Sequence, residues 1–404
     1  MSAGGDTTAP AGGDTPAHAG RDTPRQAGGG PTASPDSGAI RGRGATFNPG
    51  NRFRRDSREA FDDGWGPLGD EDDDAPAKPK TVVTIVPARS IIARNESPDV
   101  PFDRSINPYQ GCEHGCIYCF ARPTHAFHDL SPGVDFETRI LAKPNAAELL
   151  KRELAHPRYR CAPIALGTNT DPYQPVERTW KVTRAVLETL AECEHPFTIV
   201  TKSAMIERDI DVIAAMAAKG MARVALSITT LDRDLARKLE PRAAAPERRL
   251  LAVKRLAGAG IPVGVMTAPV IPQLNDKDLE AILEAAAANG ATTAGWIMLR
   301  LPLEVAPLFR AWLEAHYPLR AAHVMSLVQQ MRGGKDYQSE WGTRMRGLGE
   351  YANLIEKRFT IACRRFGLNR EDEAPDRSHV RGHVSLDTSR FRPPRAATPQ
   401  LDLF

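Results

Sequence analysis

The chain has 404 residues, 41% of them apolar, and a formal net charge of +3, enough for a sizeable core and too little charge to indicate an acidic or basic partner. Six cysteines in a chain this long exclude a disulfide scaffold. No run of about 18 apolar residues occurs and no apolar stretch follows a basic start, so a cytoplasmic protein without a membrane span is expected.

Residues 1–80 differ in kind from the rest. AGGDT, AGRDT and AGGGPT recur, then the basic RGRGATFNPGNRFRRDSR and the acidic DDGWGPLGDEDDD. Small and polar residues in that mixture bury no core, so a disordered low-complexity tail is predicted. Order is expected from Thr81, where TVVTIVPARSII reads as a strand.

Beyond Pro144 two patterns alternate. Strand-length apolar runs are CAPIALGT (161–168), PFTIVTK (196–202), ARVALSITT (222–230), IPVGVMTAPV (261–270) and TAGWIMLRLP (293–302). Amphipathic helical segments fall near 145–156, 178–193, 205–218, 246–259 and 276–289. Continuous apolar strands separated by helices predict βα units and a buried parallel sheet. A further strand near Ser105–Gln110 brings the count to about six units. The fold class expected is α/β, a partial (β/α)6 TIM-like barrel over 81–303, with a doubly wound sheet as the alternative because periodicity does not reveal closure. Helices over 304–370 form a C-terminal extension, and 371–404 is a polar tail. In such sheets functional residues gather in loops after the strand C-termini. The polar stretches GTNTDPYQP, TKS, SITT and APVIPQLND all fall there, and so does NPYQGCEHGCIYCF. A basic segment, RGGKDYQSEWGTRMRGLGEY (332–351), suits either a phosphate ligand or an ordinary connection between helices.

Cys112, Cys116 and Cys119 form C-x3-C-x2-C, with Gly111 and Gly115 supplying backbone freedom for wrapping one metal centre. Structural zinc needs a fourth ligand, for which His114, His125 and His128 are at hand. A [4Fe–4S] cluster held by three thiolates instead keeps one iron open. Tyr118 and Phe120 flank the last cysteine, placed to shield such a group or to pack the loop.

The motif C-x3-C-x-aromatic-C-aromatic after a first strand resembles the radical SAM superfamily. FDRSINPYQGCEHGCIYCFARPTH, with GTNTDPYQP and APVIPQLND further on, resembles the branch related to spore photoproduct lyase, over roughly residues 80–370. The resemblance implies a [4Fe–4S] cluster on Cys112, Cys116 and Cys119, and S-adenosyl-L-methionine (SAM) cleaved reductively to a 5′-deoxyadenosyl radical. It places Tyr118, Phe120, Thr168, Asn169, Lys202 and Ser227 beside the cofactor, with Lys202 opposite the methionine carboxylate. Met266–Pro272 would contact adenine. It further implies a reducing donor of flavodoxin or ferredoxin type and a substrate of the nucleic-acid class. A lyase of that branch would carry a hydrogen-donor cysteine near the second βα loop, where this chain reads GTNTDP; Cys161 stands at the other end of the strand. A zinc-stabilised nucleic-acid-binding protein without catalysis is the competing expectation. Asn275-Asp276 is expected to cap the helix that follows.

Overall fold

The computed structural model describes residues 40, 42–53, 79–370 and 386–394. Most of the 1–80 tail and of the 371–404 tail lies outside these residues.

Ten strands occur among the described residues: β1 Val82–Ile85, β2 Ile92–Arg94, β3 Arg104–Ile106, β4 Tyr109–Gln110, β5 Arg139–Ala142, β6 Ile164–Leu166, β7 Phe197–Thr201, β8 Ala222–Ser227, β9 Val263–Val270 and β10 Thr293–Met298. Seven of them form one sheet in the order β10-β9-β8-β7-β6-β3-β2. From β3 to β10 every neighbouring pair is parallel, and β2 joins antiparallel at the edge. Six parallel strands answer to the six predicted units. The sheet does not close, so β10 and β2 remain edges of an open, TIM-like half-barrel.

The TVVTIVPARSII run is divided between two sheets. β1 pairs with β5 and β4 in a small second sheet, while β2 belongs to the main one. Pro87 lies between them, and a residue without an N–H interrupts a ladder.

Helices cover the sheet where their apolar stripes dictate. In Pro246–Gly258 the buried positions include Arg249, Ala252, Val253 and Leu256, one face of a 3.6-residue repeat, and Pro246 sits at the first turn where its missing N–H costs nothing. Helices Val305–His316, Pro318–Gln330 and Gly349–Phe366 form the C-terminal extension. The segment between the last two lies over the end of β10: Met298 N–H donates to Met345 O and Leu348 N–H to Met331 O. Its arginines are engaged within the fold. Arg332 is buried and donates to Leu299 O and Thr343 O, Arg344 pairs with Asp99, and Arg346 pairs with Glu356. The segment is therefore a connection pinned by its cations, not a row of free guanidiniums for phosphate.

Two pieces of the predicted tails are packed. Residues 42–53 form a strap across the cysteine loop, with Gly44 and Ala45 N–H donating to the Glu137 carboxylate. At the opposite end of the sheet Arg392 N–H donates to Cys193 O, and Phe391 packs against His195 and Tyr159. Composition averages over a window, whereas a strap is held by a few contacts.

Candidate functional site

The loop between β4 and β5 begins where β4 ends and immediately turns back on itself. Gly111 and Gly115 adopt left-handed φ of +79° and +65°, and a Cβ on Gly115 would meet the Glu137 carboxylate oxygen at 2.6 Å. Arg122, fully buried, closes the turn by donating to Cys116 O, Gly115 O and the Glu137 carboxylate. The three thiols so held line one cavity of about 100 Å³ together with His114, Phe120, Thr168, Asn169, Asp171, Lys202 and Ser227.

Each strand end contributes by its register. Ser227, the last residue of β8, pairs with Met266 of β9, and Thr201 of β7 with Leu226, which puts Lys202 one step on beside Ser227. The β6 loop is laced to the cysteine loop. Thr170 Oγ1 donates to Gly111 O at 2.7 Å, Gln174 Nε2 donates to the same carbonyl, and Gln174 Oε1 accepts from Glu113 N–H. Asp171 ties three loops at once. Its carboxylate accepts from Thr201 Oγ1 at 2.6 Å, from Lys202 N–H at 2.8 Å and from Tyr173 N–H, and His114 Nδ1 stands 3.3 Å away. The i to i+2 bond to Tyr173 is an Asx turn, so one carboxylate both shapes the loop and lines the cavity.

The electrostatics of the cavity are set by buried charges. Burial pushes the Cys116 thiol up to about 12, against the pull of Lys202. Burial raises Cys112 and Cys119 as well, the charge of Asp171 adding to the rise at Cys112. Burial alone would lower the Lys202 ammonium, but the charges of Cys116 and Glu240 outweigh it and hold the group above its ordinary value. Behind the cavity, burial would raise the Glu240 carboxyl, yet Arg249 and Lys202 hold it down at about 2. Glu240 accepts from Tyr118 and Thr229 hydroxyls and from Arg249, which donates in turn to Ser227 O at 2.9 Å.

Phe120, Thr168, Asn169, Lys202 and Ser227 thus come to the same cavity as the cysteines, and Tyr118 does not line it. Tyr118 is buried behind the wall, its ring 5.7 Å from Lys202 Nζ and its hydroxyl on Glu240. Glu177, seven residues beyond Thr170 at the end of the same loop, does not line the cavity; it accepts from Thr183 and Arg184 N–H at the start of helix Val182–Glu192. Asn275 does not cap the next helix. Its side chain turns back to accept from Ile271 N–H and donate to Thr229 O and Pro269 O, where buried backbone groups would otherwise lack partners. Glu240 and Arg249 were not singled out from sequence, since charged residues in RKLEPR and PERRL look like solvated helix faces.

Of the three histidines that could complete a zinc site, only His114 lines the cavity; His125 Nε2 faces Arg139 O at 3.0 Å. Among the described residues no three His, Cys, Asp or Glu side chains are arranged to hold a single metal ion. Three thiols around a shared space, facing a buried ammonium, fit a larger thiolate-bound group with an unfilled position.

Comparison with known proteins agrees with this geometry. Residues 106–286 match the model of the Radical SAM superfamily. An uncharacterised protein of Mycobacterium tuberculosis is 39% identical over 221 residues, covering 54% of this chain and 65% of the relative, so the chain matches somewhat under two thirds of that protein's length. An uncharacterised protein of Methanocaldococcus jannaschii is 28% identical over 216 residues, 53% of this chain and 76% of the relative. Among solved structures, spore photoproduct lyase complexed with dinucleoside spore photoproduct has a similar fold, with a TM-score of 0.50 at 16% identity over 71% of this chain and 80% of that one. No helix among the described residues is long and apolar enough to cross a membrane. Residues 106–286, which hold the cysteine loop after β4 and most of the strand-end loops of the open parallel half-barrel, are thus similar to the Radical SAM superfamily.

Proposed function

We propose that the chain is a radical SAM enzyme whose Cys112, Cys116 and Cys119 hold a [4Fe–4S] cluster. The observation that carries this reading is the shared cavity: three thiols, and no fourth, with Lys202 and Ser227 on the facing strand ends. Such a cluster, when bound, would supply an open iron for SAM and the one-electron chemistry that cleaves it to a 5′-deoxyadenosyl radical. The chain's own residues bind and orient. Lys202, whose ammonium form Glu240 and a ligating Cys116 thiolate favour, would neutralise the methionine carboxylate. Ser227 and the Thr168–Asn169 turn would hydrogen-bond the polar groups of the cofactor. Asn107 fixes that turn by accepting from Asn169 N–H at 2.9 Å. Phe120, 48% exposed at the cavity rim and stacked under Arg300, would exclude water from its mouth. Tyr118 would act through Lys202 and Glu240.

The substrate class proposed is a nucleic acid, on the strength of the dinucleoside in the similarly folded lyase. The second βα loop carries no cysteine, which separates this chain from a reaction returning hydrogen through a thiol there.

Anaerobic reconstitution with iron and sulfide, then dithionite and SAM, tests the reading. Visible charge-transfer absorbance and 5′-deoxyadenosine are expected from the wild type and neither from Cys116→Ala. A full cluster on that variant would remove Cys116 from the ligand set, and a colourless wild type would end the proposal.

A further inference from the structure

One residue of the cysteine loop lines two separate spaces. His114, flanked in sequence by the ligand cysteines, is 2% exposed, yet it borders two spaces. One is the cavity shared by the thiols. The other is an outer groove of about 360 Å³ that Arg178, Met205, Arg242 and Arg248 also line. No carboxylate lines this groove, and all three arginines are exposed.

Arg242 is laid onto the cysteine loop itself. Its N–H donates to His114 O at 3.2 Å, and its guanidinium stands 3.0 Å from Glu113. Arg248 lies 3.4 Å from Glu207, a carboxylate it shares with Arg255. Arg178 has no acidic partner among the described residues. Local pairing therefore leaves the rim cationic. Other approaches to the loop are taken. The strap of residues 42–53 covers its Gly115 side, with Gly44 packed on Gly115 O, and the inner cavity is the cofactor space.

We propose that this groove is the docking surface for a small acidic electron-transfer protein that reduces the cluster, an inference that rests on the radical SAM reading above. Electron transfer weakens steeply with distance, so a donor must dock close to the thiols, and this groove shares His114 with their cavity. One electron leaves the donor's reduced cofactor and enters the cluster; no atom is transferred and no proton is required. Carboxylates around the donor's cofactor would seat against Arg178, Arg242 and Arg248, which steers encounter and fixes orientation. A nucleic acid suits the groove less well. Its tyrosine, Tyr173, is fully buried and His114 nearly so, so the groove offers no exposed stacking face for a base.

The test uses the full chain carrying its reconstituted cluster, with a flavodoxin reduced to its hydroquinone as probe. Loss of cluster absorbance is followed by stopped flow at low and high salt. The double reversal Arg178→Glu, Arg248→Glu is expected to slow reduction by flavodoxin about tenfold or more at low salt, with the gap narrowing at high salt. Reduction by dithionite, which needs no docking, should be unchanged. The neutral pair Arg178→Gln, Arg248→Gln should be intermediate, and it is the pair to read if the reversals fail to fold. Equal flavodoxin rates in variant and wild type overturn the assignment, as does an equal slowing with dithionite. So does loss of single-stranded oligonucleotide binding with an unchanged flavodoxin rate, which would make the groove a phosphate site. A wild type that assembles no cluster refutes the radical SAM reading itself, before any donor is added.

Discussion

His195 lies at the floor of the sheet, just before β7, fully buried against Tyr159 and Phe391. Nδ1 is 3.0 Å from Pro196 O, which can only accept, so Nδ1 carries the proton and Nε2 accepts from the Tyr159 hydroxyl at 2.8 Å. That neutral tautomer is satisfied at both nitrogens. Burial, with some help from Arg104, depresses the imidazolium from 6.5 to about 4. An unfolded chain takes up this proton near pH 6.5 and the folded chain only near 4. The contribution to stability is therefore full above pH 6.5 and is lost progressively as the pH falls to about 4, on the order of 3 kcal/mol at most. His195→Gln should melt lower than wild type at neutral pH and show a flatter decline between pH 6.5 and 4. Parallel melting-temperature profiles for the two proteins over that range would show that His195 does not drive the loss.

Among the elements, the strap illustrates how a short segment is held without secondary structure. Gly44 N–H and Ala45 N–H share the Glu137 carboxylate with Arg122, and Arg43 donates to Glu137 O. A Cβ on Gly44 would stand 1.9 Å from Gly115 O, backbone against backbone, so no rotamer relieves it. Gly44→Ala must lift the strap and strip two donors from a buried carboxylate, at a cost of about 1–3 kcal/mol. Gly50→Ala, where nothing lies within 4 Å, serves as the neutral control. Limited proteolysis should cut the Gly44→Ala protein within residues 42–53 and spare the control; equal resistance of the two would mean the contact is not tight. The basic stretch containing this strap reads in sequence as solvated tail, because its contacts are made to Glu137 some 90 positions away. The parallel strands were readable for the opposite reason. Burial on both faces writes itself into contiguous residues such as ARVALS, where β8 is buried at five of six positions. The split of TVVTIVPARSII was signalled by Pro87, but which sheet each half would join was not, since pairing partners are non-local.

At the scale of the molecule, the same division governs the candidate site and the shape around it. The three cysteines announce themselves by spacing. Lys202 and Ser227 needed the parallel register to bring them side by side, and Glu240 and Arg249 needed the fold to bury a carboxylate and a guanidinium that look solvated in sequence. The openness of the half-barrel leaves a cost that sequence also hides. β10 is an edge strand whose free N–H and C=O groups would pair with another chain. Asn369, just past the end of helix Gly349–Phe366, closes part of that edge. Its Oδ1 accepts from Ala294 N–H at 2.9 Å, its Nδ2 donates to Ala294 O at 3.0 Å, and its own N–H donates to Thr292 O. One side-chain amide thus stands in for a neighbouring strand, and it does so from a left-handed φ of 55° that asparagine tolerates better than alanine. Asn369→Ala removes both hydrogen bonds to Ala294 and a weaker one to Cys363 Sγ, and adds strain, for a loss of about 2–3 kcal/mol. Asn369→Gly relieves the strain and loses only the bonds, so its loss should be smaller. The urea midpoint should therefore fall in the order wild type, Gly, Ala, and light scattering on warming should rise in the same order as the β10 edge is exposed. An alanine variant with the wild-type midpoint would mean that the helix alone protects the edge and that the amide contributes nothing.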